Sequence, residues 1–253
     1  MTGDTTIDPR EVEFYRNLAE FWWDQTGPFW PLHTLNRLRV DWIRHQVSMH
    51  FGRPATPVRP LAGLRILDIG CGGGILAESM ARLGATVTGI DVVEKNIQIA
   101  ATHVRQQAFE VDYRLITAES LAHTGESFDV VLNMEVVEHV ADLPAFMASC
   151  NRLVRPGGMM FIATINQTVL SWLFAIIGAE YVLRWLPRGT HRWSEFRRPQ
   201  VLKHLLASGE LEVAAQSGVA VNPFNRNFSL SDRMNVNYML AAVRADKTTA
   251  NTV

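Results

Sequence analysis

Two sets of residues in this chain have types and spacings that suit the binding of a small molecule. The first is a glycine-rich turn at 70–74 (GCGGG), which follows Asp68 and precedes Asp91 by 21 residues, counted from Gly70. Glycine has no Cβ and tolerates positive φ, so such a turn lets a ligand approach the backbone closely. A carboxylate at the Asp91 position can accept hydrogen bonds from both hydroxyls of a ribose. The spacing therefore predicts a bound nucleoside.

The second set is Glu135, Glu138 and His139, whose i, i+3, i+4 spacing would place the three side chains on one side of a helical turn. Carboxylates and an imidazole placed in this way can bind a divalent cation. His139 can instead act as a general base, since the ordinary pKa of histidine lies near neutrality. A third interpretation is that Glu138 and His139 only order the loop. The residue types leave all three interpretations open.

The composition excludes several classes of protein. The chain has 253 residues, of which 47% are apolar and 19% charged, as in a folded globular protein of one large α/β domain or a domain with an appendage. The net charge of −1 argues against nucleic acid as a main partner, because phosphate binding needs a basic surface. Two cysteines, Cys71 and Cys150, are too few for a disulfide framework or a cysteine-based zinc site.

The elements that position these residues alternate between strand and helix patterns. Strands are predicted at 65–69, 86–90, 111–116, 128–132, 159–165, 211–221 and 237–243, and helices at 75–83, 93–107, 143–153 and 199–207. This alternation predicts a mostly parallel sheet covered on both faces. Helical spacing at 9–51 predicts a helical N-terminal cover over 1–60, followed by a domain at 61–244 and a flexible tail at 245–253.

The glycine turn departs from the dinucleotide-binding pattern G-x-G-x-x-G. Gly70 and Gly72 fit its first two positions, but Ile75 stands at the third. Asp68 also adds a carboxylate where a pyrophosphate would be repelled and a cationic ligand would be tolerated. The turn resembles the D-x-G-x-G-x-G motif of class I S-adenosylmethionine (SAM) methyltransferases. An NAD-dependent oxidoreductase is the rival from another enzyme class, and a purely structural glycine turn is the plain alternative.

Longer segments make the resemblance more specific. The chain resembles the ubiquinone-biosynthesis O-methyltransferases over roughly residues 12–244, and the segments that carry the match are 68–91, 134–139 (MEVVEH), 176–183 (IIGAEYVL), 187–191 (PRGTH) and 236–240 (VNYML). The resemblance implies a Rossmann-like fold whose seven-stranded, mostly parallel sheet has an antiparallel last strand. It also implies SAM-dependent methylation of a phenolic hydroxyl of polyprenyl catechol or quinol intermediates. Another lipid or a small phenol stays open as the acceptor.

The resemblance also implies roles for single residues. Carried over by position, the residues at SAM are Arg39, Gly70, Asp91 and Met134, to which the glycine turn adds Asp68 and Gly72. Arg39 would pair with the carboxylate of the methionine part. Glu135, Glu138 and His139 match residues that the family assigns to a Mg²⁺ ion, whereas His139 and Glu138 are the predicted catalytic residues if the group acts as a base. Metal, base and loop-ordering roles stay open.

An apolar insertion at 166–191 and the placement of the seven tryptophans predict which parts of the chain contact the methyl acceptor. All seven lie at 22–42 or 172–193, and none lies in the predicted nucleoside-binding core at 61–165, so they are predicted to cover the acceptor side. Trp172 and Trp185 suit a membrane–water boundary. We expect an interfacial helix at 169–188, with a lid over the protein's own core or a dimer partner as the alternative. The apolar run at 169–179 is shorter than the ~20 residues of a spanning helix. The expected location is cytoplasmic, at the inner face of the membrane and in contact with other ubiquinone-biosynthesis proteins.

Overall fold

The computed structural model of the chain describes residues 6–7, 12–13, 16, 18–53, 58–166, 197–222 and 227–246. The predicted interfacial helix at 169–188 lies outside these residues, as does most of the predicted tail. Among the described residues, no helix is long and apolar enough to cross a bilayer.

One mixed sheet of eight strands forms the centre of the molecule. Its strands are β1 (Arg65–Ile69), β2 (Thr86–Asp91), β3 (Asp112–Leu115), β4 (Phe128–Met134), β5 (Val154–Ile165), β6 (Leu211–Asn222), β7 (Asn227–Ser231) and β8 (Asn237–Arg244). Their spatial order is β3-β2-β1-β4-β5-β8-β6-β7. The first five strands in this order pair in parallel, whereas β8 is antiparallel to both β5 and β6. The predicted fold class and its antiparallel last strand are confirmed.

Strand β7 is an addition to the seven predicted strands. It pairs antiparallel to β6 at the edge of the sheet, and none of its five residues is fully buried. Its sequence, NFSLS, alternates polar and apolar residues, but it is only five residues long and has none of the β-branched residues that indicate a strand. The pairing with β6 therefore stabilises this strand, which its own short sequence does not clearly predict.

Besides helical residues at 12–13, 16 and 18, seven helical segments accompany the sheet in the described part of the chain. They are a 3₁₀ turn (Ala19–Phe21) and the helices α1 (Trp30–His50), α2 (Ile75–Arg82), α3 (Glu94–Val104), α4 (Ala118–Ala122), α5 (Leu143–Leu153) and α6 (Pro199–Ala207). The N-terminal region is less continuous than the pattern at 9–51 predicts, because turns occupy 22–29 and Pro31 stands in the first turn of α1. Helix α4 was not predicted, and Thr117 caps it by accepting a hydrogen bond from the Ser120 amide.

Helices cover the sheet on both faces and produce two hydrophobic clusters. On one face, α1 and α2 contribute Ile43 and Met80, and the Trp42 ring meets the Phe161 ring edge-on at 5.5 Å. On the other face, α5 and α6 contribute residues such as Met147. The inner strands are therefore buried on both sides, as their apolar runs predict.

The register of the parallel strands places the predicted site at one edge of the sheet. Ile69, the last residue of β1, aligns with Ile90 of β2 and with Asn133 of β4. The glycine turn that follows β1 therefore lies between Asp91 and Met134, at the carboxyl ends of the strands. Ligands of open α/β sheets bind at this edge.

Candidate active site

The glycine turn requires glycine for both backbone conformation and space. Gly70, Gly72 and Gly74 have φ values of 65°, 53° and 91°, which residues with a Cβ rarely adopt. A Cβ on Gly70 would lie 2.6 Å from a methyl group of Val136, and one on Gly72 would lie 2.4 Å from the Trp22 ring. The turn is thus enclosed by the loop after β4 on one side and by the N-terminal cover on the other.

Asp91, the last residue of β2, is buried beside this turn. Its Oδ2 accepts a hydrogen bond from the Gly72 amide at 2.9 Å, and its Oδ1 accepts from the Val93 amide at 2.8 Å and from the Asn96 side chain at 3.3 Å. Burial raises the pKa of Asp91, and the amide donors oppose this effect. These contacts fix the carboxylate at the edge of the sheet where the spacing predicts a ribose.

Asp68, in β1, is a buried carboxylate with one unsatisfied oxygen. Its Oδ2 has no hydrogen-bond partner within the described residues. Burial raises the pKa of Asp68 to about 7, with a further contribution from the charge of Asp91, whereas the Ala77 amide and the charge of Arg39 lower it. A buried polar atom without a partner is rare in folded proteins. Asp68 therefore fits the cationic group of a ligand, as its position before the turn predicts.

Arg39 of α1 is buried and reaches the loop after β4. Its Nη2 donates to Oε1 of Glu135, and its Nε has no hydrogen-bond partner within the described residues. Glu135 follows β4 directly and has a φ of 60°, while its amide donates to the carbonyl of Ala163 at 2.8 Å. The structure thus joins a predicted cofactor residue to a predicted metal ligand, a contact that the sequence analysis missed.

Glu138 and His139 lie in the same loop with different surroundings. Glu138 is 5% exposed and accepts a hydrogen bond from the Thr164 hydroxyl at 2.8 Å. Burial raises the pKa of Glu138 well above its usual range, the negative charge of Glu135 adds to this shift, and His139 opposes it. His139 is half-buried, and its amide donates to the Val136 carbonyl at 2.9 Å. The loop therefore presents a carboxyl group that holds a proton more readily than an exposed one.

The loop is not the helical turn that the spacing of its charged residues predicts. The left-handed conformation of Glu135 interrupts a right-handed turn, so the i, i+3, i+4 spacing does not place the three side chains on one helical side. Glu135 is paired with Arg39, and Glu138 is bonded to Thr164. Among the described residues, no group of three His, Cys, Asp or Glu side chains is arranged to hold a metal ion. In this arrangement both carboxylates have partners within the protein, and the assignment of Glu135, Glu138 and His139 to a metal ion stays a prediction.

Comparison with known proteins defines the fold family. The family described as "Methyltransferase domain" matches residues 67–162. Magnesium protoporphyrin IX methyltransferase from Synechocystis PCC 6803, solved with bound S-adenosylhomocysteine (SAH), superimposes with a TM-score of 0.62 at 18% identity, over 92% of this chain and 94% of that chain. The 1,6-didemethyltoxoflavin-N1-methyltransferase of Burkholderia thailandensis gives a TM-score of 0.58 at 18% identity, over 94% of this chain and 91% of that chain. At these identities the likeness shows the fold.

Relatives of nearly equal length decide the family. The ubiquinone biosynthesis O-methyltransferase of Sinorhizobium medicae is 55% identical over 96% of this chain and 98% of its own length. That of Rhizobium leguminosarum bv. trifolii is 52% identical over 95% and 96%, respectively. The chain belongs to the ubiquinone biosynthesis O-methyltransferase family. It is therefore a SAM-dependent O-methyltransferase, as the resemblance in the sequence predicts.

In this O-methyltransferase the N-terminal cover contributes residues that the sequence analysis did not single out. Trp22 stacks on Phe29 with ring centroids 4.0 Å apart, and its indole N–H donates to Oδ1 of Asn96 at 2.8 Å. Asn96 in turn donates to Asp91. A series of side-chain hydrogen bonds therefore links the N-terminal cover to the residue that is predicted to bind the ribose. The indole N–H of Trp23 donates to the Gly73 carbonyl at 3.0 Å.

The predicted placement of the tryptophans on the acceptor side is therefore wrong for three of them. Trp22 and Trp23 cover the glycine turn, on the nucleoside side, and Trp42 packs in the hydrophobic core against Phe161. The uneven distribution along the chain signalled a cover, but composition alone does not say which side of the cleft a helical segment approaches. Trp172, Trp185 and Trp193 lie outside the described residues.

A short N-terminal segment also contacts the loop that carries Glu138 and His139. Ile7 forms an antiparallel bridge with Val140, and the Ala141 amide donates to the Thr6 carbonyl at 2.7 Å. The Thr6 hydroxyl donates to Glu119 of α4. The N-terminal region thus touches both sides of the methyltransferase cleft, and no motif in the sequence indicates this second contact.

Proposed function

We propose that this O-methyltransferase methylates phenolic hydroxyls of two polyprenyl intermediates of ubiquinone biosynthesis, 2-polyprenyl-6-hydroxyphenol and 3-demethylubiquinol. The observation that supports the use of SAM best is the pair of opposite buried charges, Arg39 and Asp68, beside the glycine turn. An α-amino acid carries a carboxylate and an ammonium group, which match these two side chains in sign. The names of the close relatives support the acceptor class.

The residues of the sheet edge fit the remaining parts of the cofactor. Gly70 and Gly72 would let it approach the backbone, Asp91 would accept from the ribose hydroxyls, and Met134 at the end of β4 would line the site. When bound, SAM supplies a methyl group on a sulfonium, which is its own leaving group. The protein's task is therefore to align the acceptor oxygen and to exclude water. No covalent nucleophile of the chain is needed.

The acceptor hydroxyl must also lose a proton, for which Glu138 and His139 are the proposed bases. A phenol is a weak acid, so a base with a raised pKa takes its proton more readily than an ordinary carboxylate does. Burial gives Glu138 this property, and the Thr164 hydroxyl holds its side chain. His139, next in the chain and half-buried, can pass the proton towards solvent. No step is assigned to a metal ion, because Glu135 is paired with Arg39 and Glu138 accepts from Thr164.

The boundaries and the membrane contact are part of the same proposal. We assign residues 1–60 to the cover, 61–244 to the methyltransferase domain and 245–253 to a tail. The apolar composition of 169–188 supports docking on the inner face of the membrane, where a polyprenyl substrate resides and other ubiquinone-biosynthesis proteins can be met. Equal co-sedimentation with liposomes of the wild type and a Trp172→Glu/Phe174→Glu variant would contradict this docking. A Met49→Glu/Val58→Glu variant, which alters two exposed apolar residues elsewhere, is the control.

The decisive experiment is a methyl-transfer assay with SAM and a short-tailed demethylubiquinol, run with and without a chelator. We expect transfer to the phenolic oxygen, and loss of most of the turnover in Glu138→Gln. Absence of transfer to either phenolic intermediate would contradict the proposed function. Full activity in the chelator would remove the metal hypothesis, whereas recovery only on adding Mg²⁺ would establish it and place Glu135 and Glu138 in a different arrangement when loaded.

A further inference from the structure

The ion pair between Arg39 and Glu135 joins two side chains of very different exposure. The Arg39 side chain is 8% exposed, whereas that of Glu135 is 29% exposed. A buried guanidinium without a counter-charge is strongly destabilising, but a carboxylate with access to solvent can be released at little cost. Arg39 therefore needs a carboxylate close by, and Asp68 supplies that charge only in part because burial raises its pKa to about 7, whereas Glu135 reaches solvent and does not need Arg39.

The backbone of Glu135 holds its side chain in a strained position. Its φ of 60° lies in the left-handed region, which is unfavourable for a residue with a Cβ. The bond from its amide to the Ala163 carbonyl fixes this conformation at the end of β4. Strain of this kind persists only where the surroundings impose it, and it is concentrated at ligand sites. The loop therefore holds the Glu135 carboxylate against Arg39 in one defined conformation.

The cofactor brings a competing anion to the same guanidinium. If Arg39 binds the carboxylate of the methionine part, two carboxylates must share one buried cation. Arg39 donates its Nη2 to Glu135, its buried Nε has no hydrogen-bond partner within the described residues, and two carboxylates held close together beside it would repel each other. The Glu135 carboxylate, which is the more exposed of the two partners in the ion pair, is the one that can leave.

We propose that Glu135 is an internal substitute for the cofactor's carboxylate: it neutralises Arg39 in the empty enzyme and is released when the cofactor binds. The inference rests on the proposed role of Arg39. It makes Glu135 a positioning residue of the loop after β4, because its release changes the charge beside Glu138 only when the methyl donor is present. The loop thereby acquires its working arrangement in response to the cofactor.

Calorimetry with two ligands that differ by one group tests this competition. SAH carries the carboxylate, whereas decarboxylated SAH keeps the nucleoside, thioether and amine. If Glu135 occupies Arg39 about nine-tenths of the time, its removal strengthens carboxylate binding about tenfold. We therefore expect Glu135→Gln to bind SAH about tenfold more tightly than the wild type, with the affinity for decarboxylated SAH changed less than about twofold by the same arithmetic.

Two further variants keep the result interpretable. Glu135→Asn also removes the charge and tolerates the left-handed conformation better, so it should give the same change if Gln disturbs the fold. Glu210→Gln is the matched control, because Glu210 also has a positive φ, of 64°, and faces an arginine, Arg244, at 3.5 Å. We expect Glu210→Gln to leave both affinities unchanged.

Arg39→Gln separates this inference from the proposed function. We expect it to abolish the preference for SAH over decarboxylated SAH. If the preference survives, Arg39 does not bind the carboxylate, and both the assignment and the inference are wrong. If the preference is lost but Glu135→Gln and Glu135→Asn leave SAH affinity unchanged or weaken it, Arg39 keeps its role and the inference alone is overturned.

Discussion

At the scale of single residues, Asp91 carries the nucleoside end of the proposed site. Its carboxylate is held by the amides of Gly72 and Val93 and by Asn96, so its position is set before any ligand arrives. A charged acceptor fixed in this way can bind two ribose hydroxyls without reorganising. Hydrogen bonds to charged groups contribute about 1.5–3 kcal/mol each.

We therefore expect Asp91→Ala to weaken SAH binding by about 100-fold or more, which corresponds to the loss of two such hydrogen bonds. Isothermal calorimetry measures the affinity, and circular dichroism checks that the variant is folded. Asp112→Ala, which removes an exposed aspartate from the neighbouring strand β3, should bind SAH like the wild type. Unchanged affinity in Asp91→Ala would exclude Asp91 from the site.

The buried carboxyl group of Asp68 gives a pH dependence of a definite sign. Folding raises its pKa from the usual 3.8 to about 7, so the folded state binds the proton more tightly than the unfolded chain. This contribution to the free energy of unfolding is complete below about pH 4 and is lost as the pH rises through about 7. Its size is on the order of a few kcal/mol at most.

Asp68→Asn lacks this titration, since its amide stays neutral at every pH. Denaturant unfolding of the ligand-free enzyme between pH 4 and 8 should show the variant gaining stability relative to the wild type as the pH rises. The gain per pH unit should fall to about half of its largest value at pH 7 and nearly vanish by about pH 8, where Asp68 is almost fully ionised in the wild type. A constant difference across the whole range would contradict the raised pKa.

At the scale of elements, the part of the N-terminal cover that precedes α1, residues 18–29, packs on the glycine turn as a unit of its own. Ala19, Trp22 and Phe29 form a small cluster apart from the two clusters on the faces of the sheet. Because this cluster borders Gly72 and Gly73, it shields the turn without supporting the sheet. Local opening of such a unit costs less free energy than global unfolding.

Trp22→Ala should therefore loosen the turn while the sheet stays intact. Hydrogen exchange followed by mass spectrometry should show faster exchange for peptides covering 72–78 and unchanged exchange for β4 and β5. Phe21→Ala is the control, because Phe21 lies next to Trp22 but is 43% exposed. Equal acceleration in the sheet would show that the cover supports the whole domain.

The elements also show what the sequence predicts and what it leaves out. The apolar strands and the helices between them follow from periodicity, because their burial repeats at fixed intervals along the chain. Periodicity does not reveal strand β7 or helix α4, since each has only five residues. The ion pair between Arg39 and Glu135 could not be predicted for another reason. The two residues are 96 positions apart, and only tertiary packing brings them together. The glycine turn and Asp91 could be predicted because one βαβ unit contains both.

At the scale of the whole molecule, the site joins parts of the chain that pack separately. The turn and Asp91 belong to the sheet, Arg39 to α1, and Trp22 to the part of the cover before α1. A cofactor bound among these parts would link them, since any ligand that binds only the folded state stabilises it by mass action. The stabilisation should follow ligand concentration and require the chemistry of the SAM family.

We expect SAH at 100 times its dissociation constant to stabilise the enzyme by about 2.7 kcal/mol. For a domain of this size, that corresponds to a rise in Tm of about 5–10 °C, which differential scanning fluorimetry detects. NAD at the same concentration should leave the Tm unchanged, because the turn departs from the dinucleotide pattern at Ile75 and places Asp68 where a pyrophosphate would be repelled. A rise with NAD and none with SAH would return the chain to the oxidoreductase hypothesis.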